Sequence, residues 1–399
     1  MRNHSQYSWC AVHNKGLPRN IMIPSVKITV AGAGFAALTG IKELRKQLPD
    51  AELTLVAPKA EFIYLPSLIW VPFGMRSGDD LRFDIQPLLK RLNVSFVQGS
   101  VTGISDDGRV LKTDNGEVEN DALLIATGGR FIKKLPGIEN AITICEGIDA
   151  AESMGEKINA MSQGTIALGF GGNPKEPSAM RGGPMFEILF GLDSWLRKQG
   201  KRDKIKLVFF NPAPQPGKRL GEKAVKGLLA EMKKRGIDTH LGHKIQSFEN
   251  NIVKTEGGEI AADLILFMPG MTGPAWVQGS PLPLSEGGFI KADRMAQVAG
   301  IERVYVAGDA GSYPGPDWMP KQAHMADLQA KAAVNNIKLN LAGKDASEQF
   351  KVELICIVDT LDKGILVYRD ESRGVVLPAM TPMHWAKSIF EKVYLRGLK

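Results

Sequence analysis

Cysteine is scarce in this chain: three residues among 399, Cys10, Cys145 and Cys356. They are too few and too scattered for a disulfide framework or a zinc site, and the plainest reading of each is a small buried hydrophobe. Long apolar runs are also missing. The longest, over 65–75, is broken by Pro66, Ser67 and Pro72, well short of the ~20 residues a spanning helix needs. The first two dozen residues are polar, without the apolar core and small-residue cleavage site of a secretory leader. Residues 1–24 read as a loose tail, with Met22 as an alternative start just before the first strand. Excess charge of one sign is small, 50 Lys and Arg against 43 Asp and Glu for a net +7. The basic residues are dispersed and no recognised nucleic-acid module appears, so nucleic acid is not an expected partner. His240, His243 and His324 lack ligand-like spacing, and no metal site is expected.

What is present is an ordinary globular composition, long enough for two or three domains. Residues 26–30 alternate into a short strand, and Ala-Gly-Ala-Gly-Phe-Ala-Ala follows at once. The next segment places Leu38, Ile41, Leu44 and Leu48 on one helical face until Pro49 stops it. A strand over 52–56 completes a βαβ unit of dinucleotide-fold length. A second such region begins near Thr165, with a helix over 184–199, a strand over 205–210 and a helix over 223–235. Strands over 262–268 and 304–307 return to their sheets. A hairpin over 354–359 and 365–368 and a terminal helix close the chain.

Gly32-x-Gly34-x-x-Ala37 stands where a phosphate turn should, directly after a strand and opening a helix. The first glycine permits the tight turn and the second admits a pyrophosphate to the backbone. Ala37 allows close packing, and the helix start supplies N–H donors. Two later segments accompany it: a hydrophobic strand ending in Ala126-Thr127-Gly128, and Val304-Tyr-Val-Ala-Gly308-Asp309. This order resembles the glutathione-reductase-like flavoproteins. The resemblance implies bound FAD, with Asp309 accepting a hydrogen bond from its ribitol. The end of the second strand departs from that pattern: Val56-Ala57-Pro58-Lys59 offers no acid to a ribose diol.

The second domain departs further. Its strand runs into a stretch containing Pro174 and Pro177, where a coenzyme-binding helix should be donating N–H groups, and proline has none. The helix is expected only near Pro184, a residue suited to the first turn. A second nucleotide site is therefore expected to be lost.

Several further segments match in order: Phe62-x-x-x-Pro66-Ser67-x-x-Trp70, Gly183-Pro-x-Phe-Glu187, Met268-Pro-Gly, Met319-Pro-Lys321, Gln329-Ala-Lys331 and the strand carrying Cys356. Together they resemble the sulfide:quinone oxidoreductases and the flavoprotein subunit of flavocytochrome c sulfide dehydrogenase, over about residues 25–399. The fold this implies is α/β: two Rossmann-like dinucleotide-binding domains and a C-terminal membrane-associating segment. The implied division is a first part of the FAD domain over 25–145, a degenerate second domain over 146–282, the return of the FAD domain over 283–345, and a C-terminal segment over 346–399.

The resemblance also implies site residues. Gly32, Gly34, Ala37, Pro66, Ser67, Thr127, Gly128, Gly308, Asp309 and Lys321 would hold FAD. Cys356, Cys145 and Lys321 would carry chemistry, Lys321 by stabilising an anionic reduced flavin. Sulfide or a related small sulfur donor would give electrons, and a quinone would take them. In that family two cysteines bridge above the flavin. Cys356 matches one of them and Cys145 resembles an auxiliary cysteine, but Arg181 stands where the second redox cysteine is expected. Three readings stay open: Cys356 works with Cys145, it carries a persulfide alone, or the sulfide chemistry is lost. Arg181 either holds an anion near the flavin or faces solvent. A type II NADH:quinone oxidoreductase and a flavin relay without turnover are the alternatives.

Over 382–399, Trp385, Ile389 and Val393 recur at intervals of four, with Ala386, Phe390, Tyr394 and Leu398 in the adjacent stripe. Lys387, Lys392, Arg396 and Lys399 are expected on the other side. Such a basic amphipathic helix suits a headgroup interface, where an enzyme serving a lipid quinone would sit as a peripheral protein, at the cytoplasmic face. The competing fate is packing on its own domain or on a second copy in a homo-oligomer.

Overall fold

The computed structural model describes residues 25–398; the expected tail with Cys10 and Met22, and Lys399, lie outside the described residues. Two parallel sheets carry the fold. In the first, strands run in the order Val304–Val306, Ala122–Ile125, Lys27–Ala31, Glu52–Ala57 and Val94–Gln98. In the second the order is Asp238–Leu241, Ile205–Asn211, Gly164–Phe170 and Leu264–Met268. The central strand Ala122–Ile125 and the end strand Leu264–Met268 are both buried at every position, the mark of parallel sheets covered on both faces.

The helices Phe35–Gln47 and Ala323–Leu341 pack together on the first sheet. Gly40 lets the first of them approach closely, because a Cβ there would lie 2.6 Å from Leu124 Cδ2. The second sheet is covered by Gly183–Lys198, whose run from Met185 to Asp193 is buried throughout. Asp193 at its far end is satisfied by Arg197, Arg202 and Arg235, with contacts of 3.0, 2.6 and 3.1 Å.

The C-terminal region is a three-stranded antiparallel sheet, Glu353–Asp359, Gly364–Asp370 and Gly374–Met380, followed by the helix Thr381–Arg396. The third strand was not expected from the sequence. It contains Pro378, tolerated because this strand lies at the sheet's edge.

The terminal helix differs from its expected faces. Its inward side carries charge: Glu391 accepts from Ser67 and from Arg76 Nε (2.9 Å), Lys387 pairs with Glu187, and His384 Nδ1 lies 2.7 Å from Asp359 Oδ2. Lys387 is therefore not on an outer basic side. Further along, the Tyr394 ring packs against Phe35 and Tyr64 at centroid distances of 5.1 and 5.7 Å, and Leu398 is buried. Phe390, expected in the same stripe as these two, faces out with Trp385, Ile389 and Val393, each about 60% exposed. Inward partners from both parallel-sheet regions, Glu187 and Phe35 among them, override the simple helical wheel.

Candidate active site

The turn after the first strand has the shape of a phosphate cradle. Gly32 sits at φ +120°, and a Cβ there would collide with the Ala126 carbonyl, so only glycine fits. Gly34 has nothing within 4 Å of its would-be Cβ. The helix starting at Phe35 has no side-chain cap and no acid in its first turn, so its N–H groups and partial positive charge are left for an anionic ligand. Ala37 is fully buried against the sheet. Across the turn lie Thr127, whose Oγ1 accepts from Trp276 Nε1 at 3.1 Å, and Gly128 at φ +71° with open space beside it. Gly308, at φ +76°, presents its N–H to Gln329 Oε1 at 2.9 Å and turns the chain into Asp309. These residues fit FAD: a close-approach turn and a helix start for the pyrophosphate, and a carboxylate beside a glycine for a sugar hydroxyl.

Pro66 is half-buried, and Ser67 is fully buried with its hydroxyl committed to Glu391. The Ser67 side chain thus serves the docking of the terminal helix.

Lys321 is buried, not exposed at a helix start. Its Nζ donates to Gly311 O (2.8 Å) and Asp309 O (3.3 Å) and lies 4.0 Å from the Phe289 ring centroid. Burial, with repulsion from Arg181 and Arg219, pulls its pKa down to about 8, against the attraction of Asp309 and Glu176.

The residues around 181–187 gather the remaining chemistry. Arg181 does not face solvent: its guanidinium pairs with the Asp309 carboxylate. Burial opposes its charge, but Asp309 and Cys145 together raise its pKa. Burial pushes the Cys145 thiol up while Arg181 pulls it down. Cys356 approaches from the C-terminal sheet, its Sγ 3.6 Å from where a Gly183 Cβ would lie. Burial and the nearby Glu187 carboxylate push its thiol to about 12. Both cysteines are free thiols and half-buried.

Sequence reasoning missed three participants. Glu187, buried beside Cys356, was noticed only as part of a helix start; its signal was an acid set within the apolar run Met185–Leu192. Lys387 was assigned to the outer face. Arg219 left no signal. It donates to Met180 O (3.0 Å) and Met319 O (2.6 Å), tying the segment before Arg181 to the segment before Lys321.

The turn after Gly164–Phe170 is built otherwise. Residues 171–182 run as a loop, and the helix begins only at Gly183, with Pro184 in its first turn. Asn173 Nδ2 donates to Met271 O (2.9 Å) and Gly287 O (3.1 Å), and Met271 N–H donates to Ala179 O (3.0 Å). Glu176 accepts from Ser312 Oγ at 3.1 Å. The loop is laced to neighbouring backbone and exposes no row of helix N–H groups.

Comparison with known proteins agrees with this architecture. Residues 189–330 match the family model of the pyridine nucleotide-disulphide oxidoreductases. The sulfide-quinone reductase of Aquifex aeolicus is 25% identical over 395 residues, covering 92% of this chain and 90% of that one. A type II NADH:quinone oxidoreductase of Staphylococcus aureus is 24% identical, covering 92% of this chain and 93% of that one. The solved sulfide:quinone oxidoreductase of Aquifex aeolicus superimposes with a TM-score of 0.85 at 23% identity, over 94% of this chain and 91% of that one. With its nucleotide cradle and its two parallel sheets, the chain is an FAD-dependent oxidoreductase, similar along most of its length to the sulfide-quinone reductase of Aquifex aeolicus.

Proposed function

We propose that the protein passes two electrons from sulfide, or a related small sulfur donor, through FAD to a quinone at a membrane surface. The observation that carries this reading is the filling of the second coenzyme turn by residues 171–182, while the free thiol Cys356 stands at the start of the following helix, its Sγ 3.6 Å from where a Gly183 Cβ would lie. A donor served by a thiol fits that arrangement better than a pyridine nucleotide. FAD, when bound, supplies the two-electron acceptor. Gly32, Gly34, Ala37, Thr127 and Gly128 would hold its nucleotide portion, and Gly308 and Asp309 its ribitol. Lys321 would set a buried positive charge where negative charge develops on reduction. The domain division given above is part of the same reading: a first domain that keeps its ligand and a second that keeps only its fold.

The terminal helix supports the membrane half of the proposal. Its charged residues Lys387 and Glu391 face inward, while Trp385, Ile389, Phe390 and Val393 form an exposed apolar stripe, with Lys392 and Arg396 exposed nearby. Apolar side chains flanked by Trp and basic residues suit shallow insertion among lipid headgroups. No helix among the described residues is long and apolar enough to cross a membrane. In sedimentation with anionic lipid vesicles, the protein is expected to bind, and Trp385→Ser with Phe390→Ser to release it.

The donor is tested by anaerobic titration of the flavin. Sulfide should bleach it and a soluble quinone restore it; NADH should bleach it at least a hundredfold more slowly. Fast bleaching by NADH and none by sulfide would instead place the chain functionally with the type II NADH:quinone oxidoreductases, the reading favoured by its likeness to the Staphylococcus aureus enzyme. Bleaching by neither would leave a flavin relay.

A further inference from the structure

The cavity beside Asp309 and Lys321 is lined by polar side chains, and all but one of them are engaged within the protein. Lys321 Nζ donates to Gly311 O and Asp309 O, Asp309 pairs with Arg181, and Gln329 Oε1 accepts the Gly308 N–H. The Tyr313 hydroxyl donates to Val306 O at 3.0 Å, and Ser178 Oγ donates to Glu176 Oε1 at 3.0 Å. Gln322, on the same wall and immediately before the helix Ala323–Leu341, is the exception. Its Oε1 is buried and accepts no hydrogen bond among the described residues. Buried acceptors are ordinarily paired, so one left idle at the wall of a cofactor cavity calls for a donor on the ligand. FAD narrows what that donor is. The pyrimidine edge of an oxidised flavin ring presents two carbonyls with a single N–H between them, at N3, while N1 and N5 carry no hydrogen until the flavin is reduced. A carboxamide oxygen therefore matches N3–H and repels either carbonyl.

We propose that Gln322 is a flavin-positioning residue, its Oε1 accepting the hydrogen bond of N3–H in bound FAD and so fixing the orientation of the pyrimidine edge. The inference rests on the placement of FAD given above, with Asp309 at the ribitol and Lys321 at the ring, and not on the identity of the electron donor. Gln322 acts on binding and orientation; the electrons enter and leave elsewhere on the ring.

The test titrates the full-length apoprotein with FAD and with 3-methyl-FAD, in which the donor is gone, and reads binding by flavin fluorescence. Wild type should bind FAD about tenfold more tightly than the methylated analogue. In Gln322→Ala and Gln322→Met, which delete the acceptor, that preference should fall below about threefold, because both changes then remove the same bond. A preference undiminished in both variants would come from steric exclusion of the methyl group and overturns the proposal, as does equal binding of the two flavins by wild type. Apoprotein that takes up neither flavin defeats the placement of FAD, and the inference with it. If the protein is purified with flavin that does not exchange, the N3–H proton of the bound flavin is titrated by visible absorbance. An acceptor on N3–H favours the neutral form, so Gln322→Met should bring ionisation about one pH unit lower than in wild type, equivalent to tenfold. An unchanged or higher ionisation pH overturns the claim.

Discussion

After the strand Lys27–Ala31 the chain turns through three residues and is helical by Phe35; after Gly164–Phe170 it takes residues 171–182 to reach the helix at Gly183. Both strands are central and parallel, and both helices lie over their sheets, so the folding problem is the same. The chemistry is opposite. The short turn leaves N–H donors and open space at Gly34, whereas the long one uses Asn173, Glu176 and Ala179 to bind itself to Met271, Gly287 and Ser312. One fold can therefore leave backbone donors free in one copy of its turn and tie the other to its neighbours without losing the sheet, because the sheet is held by strand burial and not by the turn.

The sharpest way to break this comparison is at its glycines. Gly32→Val drives a side chain into the Ala126 carbonyl at a backbone angle that valine resists. The purified protein is expected to be colourless, with a flavin-to-protein ratio near zero. Gly34→Ala separates ligand from fold. Its Cβ meets nothing in the protein, so the unfolding temperature of the apoprotein should stay put while FAD binding weakens about tenfold, roughly 1.4 kcal/mol. The counterpart in the other turn, Gly171→Ala, places its Cβ 3.3 Å from the Phe267 ring and should leave flavin content unchanged. Equal flavin loss in Gly171→Ala would mean that the second turn holds a nucleotide after all.

A smaller effect concerns the helix that follows the long turn. Glu187 is held by Lys387 from the terminal helix and by the Asp359 N–H at 3.1 Å. Lys387→Met leaves a buried carboxylate unpaired and should cost about 3–5 kcal/mol at neutral pH, measured by denaturant unfolding. Burial already raises the Glu187 pKa, with Lys387 opposing. In the variant the folded state binds this proton more tightly than the unfolded state, so the loss should shrink as pH falls. A loss independent of pH would assign the effect to packing of the lysine stem.

How much of this was legible in the sequence follows from the range of each interaction. Strand, Gly32-x-Gly34 and helix are contiguous, and their periodicities are local, so the first unit and the strand over 205–210 could be read directly. The prolines at 174 and 177 likewise announced a broken turn. The terminal helix was located, but its faces were not. A helical wheel assumes that charge faces water, and here Glu391 and Lys387 find Ser67, Arg76 and Glu187, partners up to 324 positions away in sequence. Arg181 illustrates the same limit at the site. Its identity was visible and its choice between anion and solvent was not, since Asp309 reaches it only through the fold.

The smallest expected effect tests the electrostatics of the site that the short turn serves. Lys321 titrates at about 8 when folded, against an ordinary lysine value of 10.5, because burial disfavours its charge. Below pH 8 both folded and unfolded chains carry the proton, and the folded state bears the full cost of the buried charge. Between about 8 and 10.5 the unfolded chain keeps the proton that the folded chain has released. Stability therefore gains from this residue as pH rises, by about 1.4 kcal/mol per pH unit at most. Lys321→Met should remove that slope from a plot of unfolding free energy against pH and raise stability at neutral pH. It should also lower the flavin reduction potential, since a cation near developing negative charge is lost. An unchanged potential would leave Lys321 a purely structural donor to Gly311 and Asp309, and would confine the contrast between the two turns to the nucleotide end of the site.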